Sequence, residues 1–257
     1  MVTSAIFLRR YYYKNIKCMY KKYRKLNMKT DNKNWQILFN TQFQNMQSLK
    51  SVSTLWINGF SKLGLDNSKR PTMKEINKVS IKNTGYRFVQ TKQNVILPQI
   101  DWYKMIARYE MPVTNFVRKP KELDYCDEPD SFHEIMGHIP FLMDKKYSDM
   151  YQSLARLYID AYKKNRRDIL TEVDFISGYI IELGLIKEPT GIKAFGATLY
   201  SSGEVKEAFK KKNQRFVGGK IPNENNAYDR SAFQGKYYII DSIAQINKLI
   251  ASIRKKL

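Results

Sequence analysis

The 257-residue chain reads as one mainly helical domain with short β-strands, an α+β fold. Three observations predict it. Apolar residues recur every three or four positions over long stretches, β-branched and aromatic runs are few and short, and no internal repeat or low-complexity linker divides the chain. A hydrophobic content of 43% is enough to fill the core of one domain of this length.

Trp35, Phe39, Phe43, Met46, Leu49, Val52, Trp56, Phe60 and Leu63 share one helical face. They predict helix across roughly 32–63, with room for an interruption, stopped by Gly64. Thr72 and Glu75 stand three apart, as in a capping box opening a short helix. Gly85 to Val89 has strand character. Asp101 offers a cap for a helix running to about Tyr109, closed by Pro112. Tyr147, Met150, Tyr151, Leu154, Leu157, Tyr158 and Tyr162 again lie on one face and predict a helix over 145–164. The run from Ile176 to Leu185 fits either helix or buried strand, and periodicity does not decide between them. Lys236 to Ile240 reads as a strand, followed by a capping box from Ser242 to Gln245 and a last helix.

Charge is unevenly placed. Residues 1–30 carry nine Lys or Arg and no acid, so removing them from the net +21 leaves +12 for the other 227 residues. We therefore divide the chain into a basic N-terminal extension, 1–30, and a folded domain, 31–257. The extension is compatible with disorder, with an organellar (mitochondrial) transit peptide, or with a translation start at Met28. Clusters such as Lys210-Lys211-Lys212 are expected to be solvated faces, and a basic nucleic-acid-binding protein is the competing reading. No apolar run approaches the roughly 20 residues of a membrane span, and Ala5 to Leu8 is too short for a signal-peptide core. Cys18 and Cys126 permit one bridge at most, so a reducing, cytoplasmic compartment is expected.

His133 and His138 are the only histidines, five residues apart. On an unbroken α-helix that spacing turns them about 140° away from each other, unlike the four-residue spacing of zinc proteases. Gly137 and Pro140 predict a helix break that lets His138 turn back toward His133. A metal shared by two imidazoles needs a third ligand, and oxygen-activating iron takes a carboxylate that leaves one face open. Glu182 is the candidate, because an ionised side chain in the apolar run Tyr179 to Leu185 needs a cation or donors. The plainer alternative pairs Glu182 with a Lys or Arg and leaves the histidines as ordinary, partly buried side chains.

Further motifs follow in order: Gly64-Leu65, Pro71-Thr72, Ile96-Leu97-Pro98 with Asp101-Trp102, Phe116-Val117-Arg118 through Phe141, Glu182-Leu183-Gly184-Leu185, Lys193 to Ala197, Ser201-Ser202, and Tyr237 to Ser242. With them the chain, over most of 34–250, resembles the tetrahydropterin-dependent aromatic amino acid hydroxylases, especially the compact bacterial phenylalanine 4-monooxygenases. The resemblance implies Fe(II) on His133, His138 and Glu182, a tetrahydropterin, O2 as co-substrate, and an aromatic amino acid, most simply L-phenylalanine, as the substrate. It implies that Arg118 and Asp130 hold the amino acid's carboxylate, that Pro129 and His133 face its ring, and that Trp102 stacks on the pterin near Glu134. Tyr125 would line the active site, and Ser201 would stand beside His133 and the substrate. Asp130 is equally suited to be a helix N-cap, and Ser131 with Glu134 spells a capping box. Two departures stand out. Ser177-Gly178 replaces the family's usual Tyr-Trp, and Ser201-Ser202-Gly203-Glu204 is one residue shorter than the usual pattern. The smaller pair at 177–178 points to tryptophan or another aromatic as the alternative substrate. Neither a regulatory domain nor a long terminal coiled coil is evident, so a monomer or dimer is expected.

Overall fold

The computed structural model describes residues 28–91, 97–124, 126, 129–218, 220–222 and 233–257. The first long apolar pattern forms two helices, α1 (Met28–Ser48) and α2 (Thr54–Leu63). Lys50 adopts a left-handed φ of 50° between them, and the Ser53 side chain caps α2 by accepting the Trp56 N–H at 3.1 Å. Gly64, at φ 61°, closes α2 in the left-handed conformation that glycine adopts without strain. The Thr72–Glu75 capping box forms as expected and opens α3 (Met73–Thr84).

Strand β1 (Arg87–Thr91) pairs in parallel with β2 (Glu110–Thr114), Phe88 opposite Met111. Between them lies α4 (Gln99–Ile106), which corrects two expectations. Its cap position is Pro98, and Asp101 sits inside the first turn, where its charge favours the helix dipole. Pro112 lies within β2, tolerated because both strands of a two-stranded sheet are edges. The helix is closed instead by the turn at Ala107 to Tyr109, with Tyr109 at φ 57°.

Three short segments, Ser131–His133, the π-helical Glu134–His138 and Ile139–Phe141, run on as one helix, α5. Next come α6 (Lys145–Lys163) and α7 (Arg167–Phe175), which continues without a break into a π-helical segment, Ile176–Glu182. The ambiguous apolar run therefore resolves into helix up to Glu182 and strand from Leu185. A second sheet has the order β4 (Gly191–Ala194), β3 (Leu185–Glu188), β6 (Tyr237–Ile240), β5 (Gln214–Phe216), antiparallel only between β3 and β4. A 3-10 turn, Ala197–Tyr200, a short helix α8 (Val205–Ala208) and α9 (Ile243–Arg254) complete the described elements that matter here.

Helix α6 packs against α4, α7 and α9, and its Tyr147, Met150, Tyr151 and Leu154 are buried. Trp35, Phe132, Phe141 and Phe195 extend the same core to the underside of α5. Among the described residues no helix is long and apolar enough to cross a membrane.

Candidate metal centre

Helix α5 starts at Asp130, whose Oδ1 accepts the His133 N–H at 3.0 Å. The Ser131–Glu134 capping box does not form, because the Ser131 hydroxyl is turned onto the Phe116 carbonyl at 2.5 Å. Nor does the helix break at Gly137. The Ile139 N–H instead reaches back five residues to the Glu134 carbonyl, the π-helical pattern. In that register residues five apart share a face. The His133 and His138 rings consequently meet, 5.0 Å apart between centroids and nearly perpendicular. Gly137 serves close approach rather than termination: a Cβ there would stand 2.7 Å from the Ala197 carbonyl oxygen.

The second π-helical segment delivers Glu182. Its Oε1 lies 3.2 Å from His138 Nε2 and its Oε2 3.5 Å from His133 Nε2. The segment 196–201 braces this group from one side. A Cβ at Gly196 would come within 2.3 Å of the Glu182 carbonyl oxygen, so only glycine lets the two backbones touch. From there Thr198 Oγ1 donates to Glu182 Oε2 at 3.1 Å, and Ser201 Oγ meets His133 Nδ1 at 2.8 Å. Ser201 thus stands beside the first histidine.

A second carboxyl competes for the role of ligand. Glu134 clusters with both histidines within 4.8 Å. Burial pushes its carboxyl up to about 8, and its Oε2 has no hydrogen-bond partner among the described residues. Glu182, by contrast, faces both Nε2 atoms and is oriented by Thr198, so His133, His138 and Glu182 are the set that could hold a metal ion. Burial pushes the His133 ring down to about 4, which keeps it neutral and able to donate a lone pair. For His138 burial acts the same way but is outweighed by the Glu182 carboxylate, and its pKa lies above the ordinary value. Donors bound to one ion at roughly 2.1 Å stand about 3 Å apart, close to the spacing here. Two imidazoles and a carboxylate fit a ferrous ion with open positions.

Arg118 and Asp130 are almost wholly buried and paired with each other. Arg118 Nε and Nη2 donate to Asp130 Oδ1 at 2.9 and 2.7 Å, its backbone N–H donates to Oδ2 at 2.6 Å, and Nη1 reaches the Leu123 and Ser201 carbonyls. Burial opposes charge on both, and their mutual attraction prevails: Asp130 is held below its ordinary pKa and Arg118 above. The Nε–Nη2 edge of the guanidinium, the edge expected to grip a ligand carboxylate, is therefore already engaged by Asp130, and Nη1 by two carbonyls. Pro129 is exposed just ahead of the cap, and its carbonyl accepts from Thr114. Trp102, on α4, is half-buried and edge-on to Tyr103 and Tyr151. Tyr125 lies outside the described residues.

Two contacts have no counterpart in the sequence reading. Thr198 on Glu182 is one; it stands 16 residues away, with no periodic signal linking the two. The other falls at the departure at 177–178: the Ser177 and Tyr103 hydroxyls are hydrogen-bonded at 2.5 Å.

The sequence matches the family described as biopterin-dependent aromatic amino acid hydroxylase over residues 4–257. It is 28% identical over 193 residues to the phenylalanine-4-hydroxylase of Ralstonia nicotianae, covering 74% of this chain and 60% of that one. Identity to the Pseudomonas aeruginosa phenylalanine-4-hydroxylase is 30% over 173 residues, 67% and 63% of the two chains. This chain thus spans under two thirds of the length of either relative. Its fold superposes on the cold-active phenylalanine hydroxylase of Colwellia psychrerythraea with a TM-score of 0.74, at 22% identity, over 91% of this chain and 88% of that one. The cobalt-bound enzyme of Chromobacterium violaceum gives 0.70 at 23% identity, over 86% and 78%. Its pair of π-turned helices, its two histidines and glutamate, and a family match from one end to the other lead to one assignment: the chain belongs to the biopterin-dependent aromatic amino acid hydroxylases.

Proposed function

We propose that this chain hydroxylates the ring of an aromatic amino acid, converting L-phenylalanine to L-tyrosine, with ferrous iron, tetrahydropterin and O2. The observation that carries the reading is the convergence of both histidine Nε2 atoms on one carboxylate, at 3.2 and 3.5 Å. The relatives named above are phenylalanine-4-hydroxylases, which favours phenylalanine among the possible rings. When bound, iron and tetrahydropterin supply the electrons that reduce O2, so that one oxygen atom enters the ring and the other leaves with the oxidised pterin.

The chain's residues divide the remaining work. His133, His138 and Glu182 hold the metal, while Ser201 and Thr198 fix the orientation of His133 and Glu182. Arg118, already held by Asp130, offers the amino acid's carboxylate a charge and the one side-chain N–H that has no partner among the described residues. Pro129 and His133 face the substrate ring, Trp102 stacks on the pterin, and Tyr125 lines the site. Glu134, whose carboxyl burial pushes up to about 8, lies toward the pterin's polar edge. We place the protein in the cytoplasm as a monomer or dimer without a nucleic-acid partner.

Product analysis tests this. Iron-loaded protein given tetrahydropterin, O2 and a panel of phenylalanine, tryptophan and tyrosine should form tyrosine from phenylalanine as its main product. The absence of any hydroxylated product overturns the proposal. A preference for tryptophan would favour the second reading, which the small Ser177-Gly178 pair supports.

A further inference from the structure

Helix α5 contains Pro140 two residues after His138. A proline has no N–H, so it cannot supply the helical donor for the Met136 carbonyl four residues back. Met136 is buried, and a buried carbonyl left unpaired is costly. The donor comes from another helix: Trp56 Nε1–H reaches the Met136 oxygen at 2.7 Å.

Trp56 is held in place from several directions. Its indole stacks on Phe60 at 4.6 Å and on Tyr200 at 4.7 Å. Tyr200 in turn accepts the Ser53 N–H and donates to the Ala194 carbonyl, and it immediately precedes Ser201 on His133. Helix α2 crosses α5 in bare contact, since a Cβ on Gly59 would fall 1.8 Å from the Pro140 oxygen. The indole N–H therefore enters the five-residue turn between the two histidines from a rigid support.

We propose that Trp56 is a positioning residue for the metal, whose N–H fixes the Met136 carbonyl, and with it the backbone between His133 and His138, where the π turn brings the two rings together. An ordinary α register would swing the imidazoles about 140° apart. Trp56 acts through the backbone between the two histidines, at the Met136 carbonyl. The inference rests on the metal reading above.

The test compares metal binding with stability. Trp56→Phe keeps a stacking ring and removes the N–H; site-specific benzothienylalanine at position 56 keeps the indole shape without the N–H, should the Phe variant fold poorly. Thr84→Val is the control, because Thr84 Oγ1 donates to the Leu142 carbonyl at 2.9 Å, at the C-cap of the same helix and beyond His138. Anaerobic Co(II) titration, with the visible Co(II) absorption and the melting temperature recorded, should show both Trp56 variants weakened about tenfold or more, with shifted bands. Thr84→Val should lower the melting temperature yet bind Co(II) within about twofold of wild type. Unchanged affinity and bands in the Trp56 variants, or an equal loss in Thr84→Val, would overturn the proposal. Wild-type protein that binds neither Co(II) nor Fe(II) would remove the metal reading itself, a distinct result.

Discussion

Asp130 joins two jobs in one carboxylate: it caps α5 through the His133 N–H and neutralises the buried Arg118 guanidinium. Asp130→Asn leaves that guanidinium buried without its counter-charge, and urea unfolding should show a loss of about 3–5 kcal/mol. Since the Asp130 pKa is held below its ordinary 3.8, the pair stabilises fully above that value and weakens only as pH falls from 3.8 through the lower folded-state pKa. The part of the acid sensitivity below pH 3.8 that Asp130 causes should be missing in Asp130→Asn. Ser201→Ala removes the 2.8 Å contact with His133 Nδ1. It should weaken ferrous binding between about tenfold and a hundredfold in an anaerobic titration, with little change in melting temperature. At this scale the sequence was informative where chemistry is conspicuous: two lone histidines, and a glutamate stranded in an apolar run. It was silent on Thr198, which meets Glu182 only because Gly196 lets two backbones touch.

The elements that carry the proposed ligands are the ones sequence periodicity read least well. Helices α1, α2 and α6 repeat their apolar residues every three or four positions, and that pattern made them legible before any coordinates. A π turn adds one residue without any residue type to announce it. Gly137 and Pro140 looked like a helix end and are instead a close contact and a missing donor within α5. The spacing of five between the histidines was the one visible trace of that register. Packing at the crossing of α2 and α5 leaves no space for a methyl group at Gly59. Gly59→Ala should cost about 3 kcal/mol, visible in thermal unfolding, and should reduce metal affinity along with stability. Normal stability in that variant would mean that the two helices do not press together as described.

For the whole molecule, the formal charge of +21 is a burden on the compact state, through repulsion that salt screens. Raising NaCl from about 0.02 to 0.2 M, which shortens the screening length from roughly 20 to 7 Å, should therefore raise the melting temperature. A fall would show that attractive ion pairs outweigh the repulsion. Metal should stabilise the same fold by mass action, since its donors come from α5 and from the π-helical end of α7 and meet only when both are folded. The most direct test of the account is an anaerobic Fe(II) titration of wild type beside Glu182→Gln, with folding checked by circular dichroism. We expect one ferrous ion per wild-type chain and at least a hundredfold weaker binding in a folded Glu182→Gln. Equal binding by both would contradict the assignment of His133, His138 and Glu182 as the metal centre.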